Sequence, residues 1–154
     1  MILITVGTEQ FPFNRLMNWI RVLIDQGFIQ EEIVVQYGSC TDWPSGVKAY
    51  SLLAQDQFQE LIQQARLIIG HCGEGTVILL GATHKPYILV PRSQRFGEHV
   101  DNHQIELALA LAQIEVPIAW SPGDLVKFLA LPRWVPPATI SAATLCQRLK
   151  NRFG

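Results

Sequence analysis

Residues 67–76 of this chain, LIIGHCGEGT, join a short apolar run to a polar turn that contains three glycines. The run Leu67–Ile69 is rich in β-branched residues and ends at a glycine, which is typical of a strand buried on both faces. A helix is expected after the turn, from Val77 to Ala82. The stretch therefore predicts a strand, a glycine turn and a helix, the repeating unit of a parallel α/β sheet.

The same pattern recurs on both sides of this stretch. Three more apolar runs predict buried strands at Ile2–Val6, Ile33–Tyr37 and Tyr87–Val90. Helical spacing of apolar residues fills the gaps, and it predicts a further helix at Asn102–Gln113. Two helices are indicated by Leu16, Trp19, Ile20 and Leu23 and by Phe58, Leu61, Ile62 and Ala65. Strands that alternate with helices predict an α/β fold with a parallel sheet and helices on both faces.

Composition bounds the class of protein. The 154 residues are 49% apolar and only 16% charged, which suits one domain with a sizeable core. The formal net charge is −1, whereas a protein that grips many phosphates of nucleic acid normally carries a basic excess. We therefore expect no nucleic acid partner. We expect a domain at residues 1–130, completed by a proline-rich linker and a basic helix at residues 131–154.

The charges are unevenly distributed along the chain. Residues 1–124 carry seven basic and thirteen acidic side chains, whereas the segment from Leu125 onwards carries five basic ones and no acidic one. Prolines in Leu131–Pro137 separate a short helix from a predicted C-terminal helix at Ser141–Phe153. The basic segment is either a solvated helix face or a docking element for an acidic partner or an anionic membrane surface.

The spacing of the cysteines and the length of the apolar runs indicate the cellular compartment in which the chain is expected. Cys40, Cys72 and Cys146 form no CxxC pair, so neither a zinc site nor a disulfide framework is expected. The N-terminus lacks the basic start of a signal peptide, and the longest apolar stretch, Ile105–Trp120, is interrupted by polar residues. We expect a soluble, cytoplasmic chain without a transmembrane segment.

Ligands of open parallel sheets bind at the carboxyl ends of the strands. Polar turns with glycine follow three predicted strands, at Gly7-Thr8, at Gly38-Ser39 and at residues 70–76. In the last turn, glycines and the start of a helix favour an anion, and Thr76 either caps the helix or bonds a phosphate oxygen. The same sequence also occurs as a plain tight connection, and it matches neither GxGxxG nor a Walker loop.

A second polar concentration follows the fourth predicted strand. Asp101, Asn102, His103 and Gln104 are suited to bind sugar hydroxyls, or they simply start a helix. His99 and His103 have a spacing compatible with a metal, but no HExxH pattern follows, and we expect no metal.

Cys72 beside His71 suggests a thiol nucleophile. Neighbouring residues at a strand end point apart, however, and a small residue suits a crowded turn, so we do not expect a reactive thiol.

Taken together, these motifs resemble a known family. They are, in order, Val6-Gly-Thr8, Gln36-x-Gly38, His71-x-Gly-x-Gly-Thr76, Lys85-Pro86, Val90-Pro-Arg92 and Glu98-His-x-Asp-Asn-His-Gln104. From Ile2 to about Ile114 the chain resembles the C-terminal, donor-binding domain of family 28 glycosyltransferases. It is most similar to the free-standing small-subunit type, found in the dolichol-linked GlcNAc transferase and in bacterial exopolysaccharide counterparts.

The resemblance implies a Rossmann-like domain, the C-terminal half of a GT-B glycosyltransferase, with a UDP-sugar as substrate and neither a cofactor nor a metal. In such a domain Asn102, His103 and Gln104 contact the donor sugar, and Leu52 and Leu53 in the loop Tyr50–Leu53 lie near the nucleobase. The residues that face the donor pyrophosphate are Gly7, Thr8, His71, Gly73, Gly75 and Thr76.

One position departs from the family pattern. Family members commonly carry a Glu three residues beyond the Thr76 position, where it contacts the ribose hydroxyls, and this chain has Leu79. Losing a charge-assisted hydrogen bond lowers donor affinity about tenfold or more.

The resemblance also implies a partner. The catalytic base of such enzymes belongs to the other half, so we expect a membrane-anchored, acceptor-binding subunit that docks on the basic C-terminal segment. No catalytic residue is expected in this chain itself. The alternatives are a non-catalytic scaffold subunit with weakened donor affinity, favoured by Leu79, and a nucleotide-sugar epimerase, against which the short length counts.

Overall fold

The computed structural model describes residues 1–136, in which five parallel strands form one sheet. The strand order is β3-β2-β1-β4-β5. The strands are β1 (Ile2–Thr5), β2 (Ile33–Gln36), β3 (Lys48–Tyr50), β4 (Leu67–His71) and β5 (Tyr87–Val90). The helices are α1 (Asn14–Asp25), α2 (Gln55–Gln64), α3 (Glu74–Gly81), α4 (His103–Gln113) and α5 (Pro122–Ala130).

Two apolar layers cover the two faces of the sheet. Alternate residues of each strand point to opposite faces, so Ile2 and Ile4 of β1 join one layer and Leu3 joins the other. Helices α1 and α5 cover the first face, while α2, α3 and α4 cover the second. This confirms the predicted Rossmann-like α/β class with helices on both faces.

The order of the strands places a crevice between β1 and β4. The chain runs outward from β1 to β2 and β3, then returns to pair β4 with the other edge of β1, where Thr5 lies opposite Gly70. At such a reversal the loops after the two central strands diverge to opposite sides of the sheet. The loops after β1 and β4 therefore border one opening.

Most predicted elements are confirmed, with two corrections. The four predicted strands and the helices predicted within residues 1–136 are present. Strand β3 was missed, because it has only three residues and is largely exposed at the edge of the sheet. Helix α3 begins at Glu74, not at Val77, so Gly75 and Thr76 lie in its first turn. The predicted helix at Ser141–Phe153 lies outside the described residues, and the division at residue 131 stays a prediction.

No helix within residues 1–136 is both long enough and apolar enough to cross a membrane.

Candidate functional site: a cleft at the carboxyl edge of the sheet

A cleft of about 380 Å³ opens where the loops after β1 and β4 diverge. It contains eight of the residues that the sequence predicted for donor binding. They are Gly7, Thr8, Leu52, Leu53, His71, Gly73, Gly75 and Thr76. Six other residues complete its lining: Thr5, Glu9, Gln36, Phe58, Glu74 and Leu79.

Gln36 braces the floor of the cleft. Its amide nitrogen donates to the carbonyl oxygens of Gly7 and Ser51, each at 2.9 Å, and its amide oxygen accepts from the Thr5 hydroxyl at 2.7 Å. One side chain thus links the ends of β1, β2 and β3. Gly38 follows with a φ of 54°, and a Cβ atom there would lie 3.1 Å from the Gly7 carbonyl oxygen. The loops after β1 and β2 can therefore approach closely only with glycine at position 38.

The imidazole of His71 lies between two glycines at the centre of the cleft. A Cβ atom on Gly7 would overlap its Nε2 atom, and a Cβ atom on Gly73 would lie only 2.5 Å from its Cε1 atom. Gly7 also has a φ of 74°, in the left-handed region that glycine adopts without strain. The sequence assigned these glycines to close approach of a ligand, and the structure shows that they also make room for His71.

The protonation state of His71 follows from its neighbours. Gln104 accepts at Oε1 from the backbone N–H of Arg92 at 3.0 Å, so its NH₂ group faces Nδ1 of His71, at 3.2 Å. Nε of Arg92 also donates to this Nδ1 atom, at 3.2 Å. An atom approached by two donors is an acceptor, and the imidazole therefore carries its proton on Nε2. Burial, assisted by the charges of Arg92 and His99, lowers the pKa of His71 to about 3.

The N–H of His71 and the first turn of α3 meet at one point. Nε2 of His71 lies 3.0 Å from the hydroxyl of Thr76, the third residue of α3. Gly73 is the N-cap of this helix and no side chain caps it, so the suggestion that Thr76 is the cap was wrong. N–H groups in a first turn have no acceptor within their helix, and the helix dipole favours negative charge there. Polar hydrogens thus converge on this part of the cleft.

The cleft contains no cationic side chain of its own within the described part of the chain. Its charged lining residues are Glu9 and Glu74. The guanidinium of Arg92 lies one step behind, screened from solvent by His71, which it contacts. An anion in the cleft therefore contacts N–H groups and hydroxyls directly. The positive charge of Arg92 is separated from it by the imidazole of His71.

The other end of the cleft is apolar. Leu52, Leu53, Phe58 and Leu79 line it, and Leu52 is 64% exposed. Phe58, one of the apolar residues whose spacing predicted α2, packs partly on the core and also borders the cleft. The signal for this second role was its place on the helix directly after the loop Tyr50–Leu53. An apolar wall beside a polar one suits a ligand that has a ring at one end and charge at the other.

The predicted sugar-binding residues lie outside the cleft lining. Asn102 and His103 are exposed at the start of α4, where Asn102 accepts from the backbone N–H of Gln94 and His103 pairs with Asp101 and Glu106. Gln104 is buried, and its amide contacts Arg92 and His71. The structure thus separates the exposed pair from Gln104, which lies beneath the cleft.

The structure also places the residues that the sequence analysis considered for metal binding and for thiol catalysis. No group of three or more His, Cys, Asp and Glu side chains within residues 1–136 is arranged to hold a metal ion. Cys72 is fully buried, and burial raises the pKa of its thiol far above the ordinary value. A thiol that stays protonated and out of reach of solvent is a poor nucleophile.

The fold and the cleft define a Rossmann-like domain with its ligand site at the reversal of strand order. The chain belongs to the glycosyltransferase family 28 C-terminal domain family, whose model matches residues 1–130. It is thus a glycosyltransferase donor-binding domain.

A solved structure has a similar fold. The glycosyltransferase SnogD from Streptomyces nogalater superposes with a TM-score of 0.54 at 17% sequence identity. The match covers 99% of this chain but only 39% of SnogD, so this chain corresponds to less than half of that protein. A comparison with curated proteins found no match.

Proposed function

We propose that this chain is the donor-binding subunit of a two-component glycosyltransferase that uses a UDP-sugar, with UDP-GlcNAc or a related hexose donor as the first candidate. The acceptor is a lipid-linked sugar or a growing exopolysaccharide. The observation that carries the proposal is the convergence of the His71 N–H, the Thr76 hydroxyl and the first turn of α3 on one part of the cleft.

The diphosphate of the donor binds at this convergence. Nε2 of His71 donates to the Thr76 hydroxyl oxygen, which leaves the Thr76 O–H to donate to a phosphate oxygen. The backbone N–H groups of Gly75 and Thr76 supply further donors. Gly7 and Thr8 approach from the loop after β1. Because these donors are held in place by the fold, their hydrogen bonds strengthen as negative charge develops on the leaving diphosphate, which stabilises the transition state.

The nucleobase binds at the apolar end of the cleft. Leu52 and Leu53 contact the uracil, and Phe58 offers an aromatic face beside it. The sugar projects from the diphosphate towards Asn102 and His103 at the exposed start of α4. Of the three residues predicted to bind the sugar, Gln104 is the one whose side chain is already engaged within the protein.

The reaction also needs a general base, which the family resemblance assigns to the other half of the enzyme. A general base must remove the proton of the acceptor hydroxyl as the hydroxyl oxygen attacks C1 of the sugar. The bond between C1 and the diphosphate oxygen breaks, its electrons leave with UDP, and the anomeric configuration inverts. We assign the base to a membrane-anchored acceptor-binding subunit. The basic C-terminal segment of this chain docks on that subunit at the cytoplasmic face of the membrane. The scheme uses no metal.

Calorimetric titration with UDP-GlcNAc tests the donor claim. We expect binding by the wild-type chain and weaker binding by His71→Asn, which lacks the N–H that directs the Thr76 hydroxyl towards the diphosphate. Gln113→Glu, at the exposed far end of α4, serves as a control that retains binding. If no UDP-sugar binds to the chain, alone or together with its acceptor-binding partner, the proposed function is wrong.

One observation favours a second candidate, a non-catalytic scaffold subunit of the same complex. Leu79 lines the cleft where family members commonly place a Glu that contacts the ribose hydroxyls. A half-buried leucine cannot accept those hydrogen bonds, and their loss costs about 1.5–3 kcal/mol.

The substitution Leu79→Glu separates the two candidates. If the remainder of the cleft is competent, this variant binds UDP about tenfold more tightly than wild type, because it restores a charge-assisted hydrogen bond. A wild-type chain that supports sugar transfer with its partner favours the catalytic subunit. A chain that gains UDP binding only with Glu at position 79 favours the scaffold.

A further inference from the structure

Arg92 is a charged residue buried completely at the end of β5. Nη1 donates to the backbone carbonyls of Phe11 and Glu98, at 2.8 and 3.2 Å, and Nη2 donates to the carbonyl of Val6, at 2.5 Å. Nε donates to Nδ1 of His71. A guanidinium is costly to bury unless it is hydrogen-bonded, and here each of its three nitrogen atoms donates to at least one acceptor.

The nearby carboxylate of Glu98 does not serve as the hydrogen-bond partner of this guanidinium. It is held by Arg15, which donates to both of its oxygens at 2.9 and 3.0 Å, and by the backbone N–H of Ser93 at 3.0 Å. Arg92 reaches only the backbone carbonyl of Glu98. Among residues 1–136, the one hydrogen bond of this guanidinium to another side chain is thus the bond to His71.

Gln104 adds a second donor at the same atom. Its orientation is fixed because its amide oxygen accepts from the backbone N–H of Arg92, which leaves the NH₂ group towards Nδ1 of His71. Two donors therefore exclude a proton from Nδ1, and the only N–H of the imidazole, on Nε2, points to the Thr76 hydroxyl in the cleft lining, 3.0 Å away. A neutral histidine without such neighbours populates both tautomers, and one of these presents a lone pair at Nε2.

We propose that Arg92 and Gln104 are positioning residues that hold His71 as the Nε2–H tautomer, so that Nε2 always donates to the Thr76 hydroxyl and the Thr76 O–H is left to donate to the diphosphate. This inference rests on the proposed function, because it names the parts of this chain that keep its diphosphate site in a binding state. The charge of Arg92 also polarises the imidazole N–H, so the buried cation acts on the ligand through His71. This indirect action suits a cleft whose charged lining residues are Glu9 and Glu74.

The ¹⁵N signals of the His71 ring test the proposal directly in the ligand-free protein. In the wild-type chain we expect a protonated Nε2 and an unprotonated Nδ1 at neutral pH. The variant Gln104→Glu keeps an oxygen for the backbone N–H of Arg92 but turns a second acceptor towards Nδ1. We expect Nδ1 to become protonated in this variant. The matched control Gln113→Glu makes the same substitution at the other end of α4, away from His71, and should leave the spectrum unchanged.

Binding of UDP supplies the second measurement. At pH 8 we expect Gln104→Glu to bind UDP about tenfold more weakly than Gln113→Glu, because Nε2 of a neutral Nδ1–H imidazole accepts from the Thr76 hydroxyl, which then has no proton left for a phosphate oxygen. As the pH falls to 6, protonation of His71 in the variant restores the N–H and narrows the gap. The other charged groups around the ring are the same in Gln104→Glu and in Gln113→Glu, so they do not account for a difference between the two pH profiles. They are Arg92, His99, Glu9 and Glu74.

Two results would overturn the proposal. One is a wild-type His71 whose proton lies on Nδ1 or is shared between the two nitrogens. This measurement uses the wild-type protein alone and does not depend on the folding of a variant. The other is a Gln104→Glu protein with an unprotonated Nδ1 and the pH profile of the control. If none of these proteins binds UDP, the proposed function fails, and the ¹⁵N spectra still decide how His71 is held.

Discussion

The imidazole of His71 occupies the space in which Gly7 would carry a side chain. The two residues lie at the ends of the neighbouring strands β1 and β4, where the order of the strands reverses. Glycine at position 7 thus serves the chemistry of the cleft by admitting a ring whose N–H faces the Thr76 hydroxyl in the cleft lining. This packing has consequences that stability and binding measurements can test.

Gly7→Ala should be much more destabilising than Gly46→Ala. Both glycines have positive φ angles, 74° and 79°, so both substitutions carry a backbone cost of about 1 kcal/mol. Only at Gly7 does the new methyl group overlap a side chain, whereas nothing lies within 4 Å at Gly46. We expect an additional loss of roughly 1–3 kcal/mol at Gly7, measured by urea denaturation. Equal losses would contradict the packing of His71 against this loop.

His71→Asn should separate folding from ligand binding. The asparagine oxygen can replace Nδ1 as the acceptor for Arg92 and Gln104, but the side chain is too short to carry an N–H to the position of Nε2. We expect a free energy of unfolding within about 1 kcal/mol of wild type and UDP binding weakened about tenfold or more. Urea denaturation and calorimetry supply the two numbers. Unchanged UDP affinity would show that His71 does not direct the Thr76 hydroxyl towards the diphosphate.

The depressed pKa of His71 predicts a loss of stability in acid. Unfolded histidine titrates near pH 6.5, and the folded protein resists protonation of His71 down to about pH 3. Between these values the unfolded state binds the additional proton, so this contribution to stability is present above pH 6.5 and is lost as the pH falls. The loss is about 1.4 kcal/mol for each pH unit below that value.

Comparison with His71→Asn isolates this contribution from the carboxylates that also titrate in acid. The free energy of unfolding of wild type should fall more steeply than that of the variant between pH 6 and about pH 4. Parallel curves for the two proteins would mean that His71 is readily protonated in the folded state.

The ion pair of Arg15 with Glu98 should be important for folding. Arg15, on α1, reaches the loop after β5 and donates to both oxygens of a carboxylate that is almost completely buried. Arg15→Met leaves that carboxylate without its cation, which costs about 3–5 kcal/mol for a buried pair. Arg95→Met, an exposed change of the same type in the same loop, should cost less than about 0.5 kcal/mol. Thermal or urea unfolding that ranks the two variants equally would contradict this account.

The sequence was informative about the sheet because buried parallel strands are continuous apolar runs. It was uninformative about β3, since Lys48-Ala-Tyr50 is short and two of its three residues are exposed. It also placed the start of α3 too late, because Gly73 and Gly75 count against a helix in a propensity argument. In the structure Gly73 serves as the N-cap, and the helix begins at the next residue.

Within the site, the sequence indicated which loops meet, but not which side chains lie beneath them. Arginine is almost never fully buried, and nothing in the local pattern of Val90-Pro-Arg92 signals that three carbonyls from two loops will receive its N–H groups. Gln104 was interpreted as a sugar contact for the same reason, since a polar residue at a helix start is usually exposed. Only the tertiary structure brings both residues to Nδ1 of His71.

The central claim, that the cleft between β1 and β4 binds the nucleotide diphosphate of a sugar donor, is tested most directly by mapping UDP onto the amide spectrum of the chain. Titration of the ¹⁵N-labelled protein with UDP should shift the backbone signals of Gly7, Gly73, Gly75 and Thr76, and also those of Leu52 and Leu53 at the apolar end. Signals of α5, which packs on the opposite face from α3, should stay in place. A spectrum that UDP leaves unchanged, or shifts confined to α5, would contradict the account.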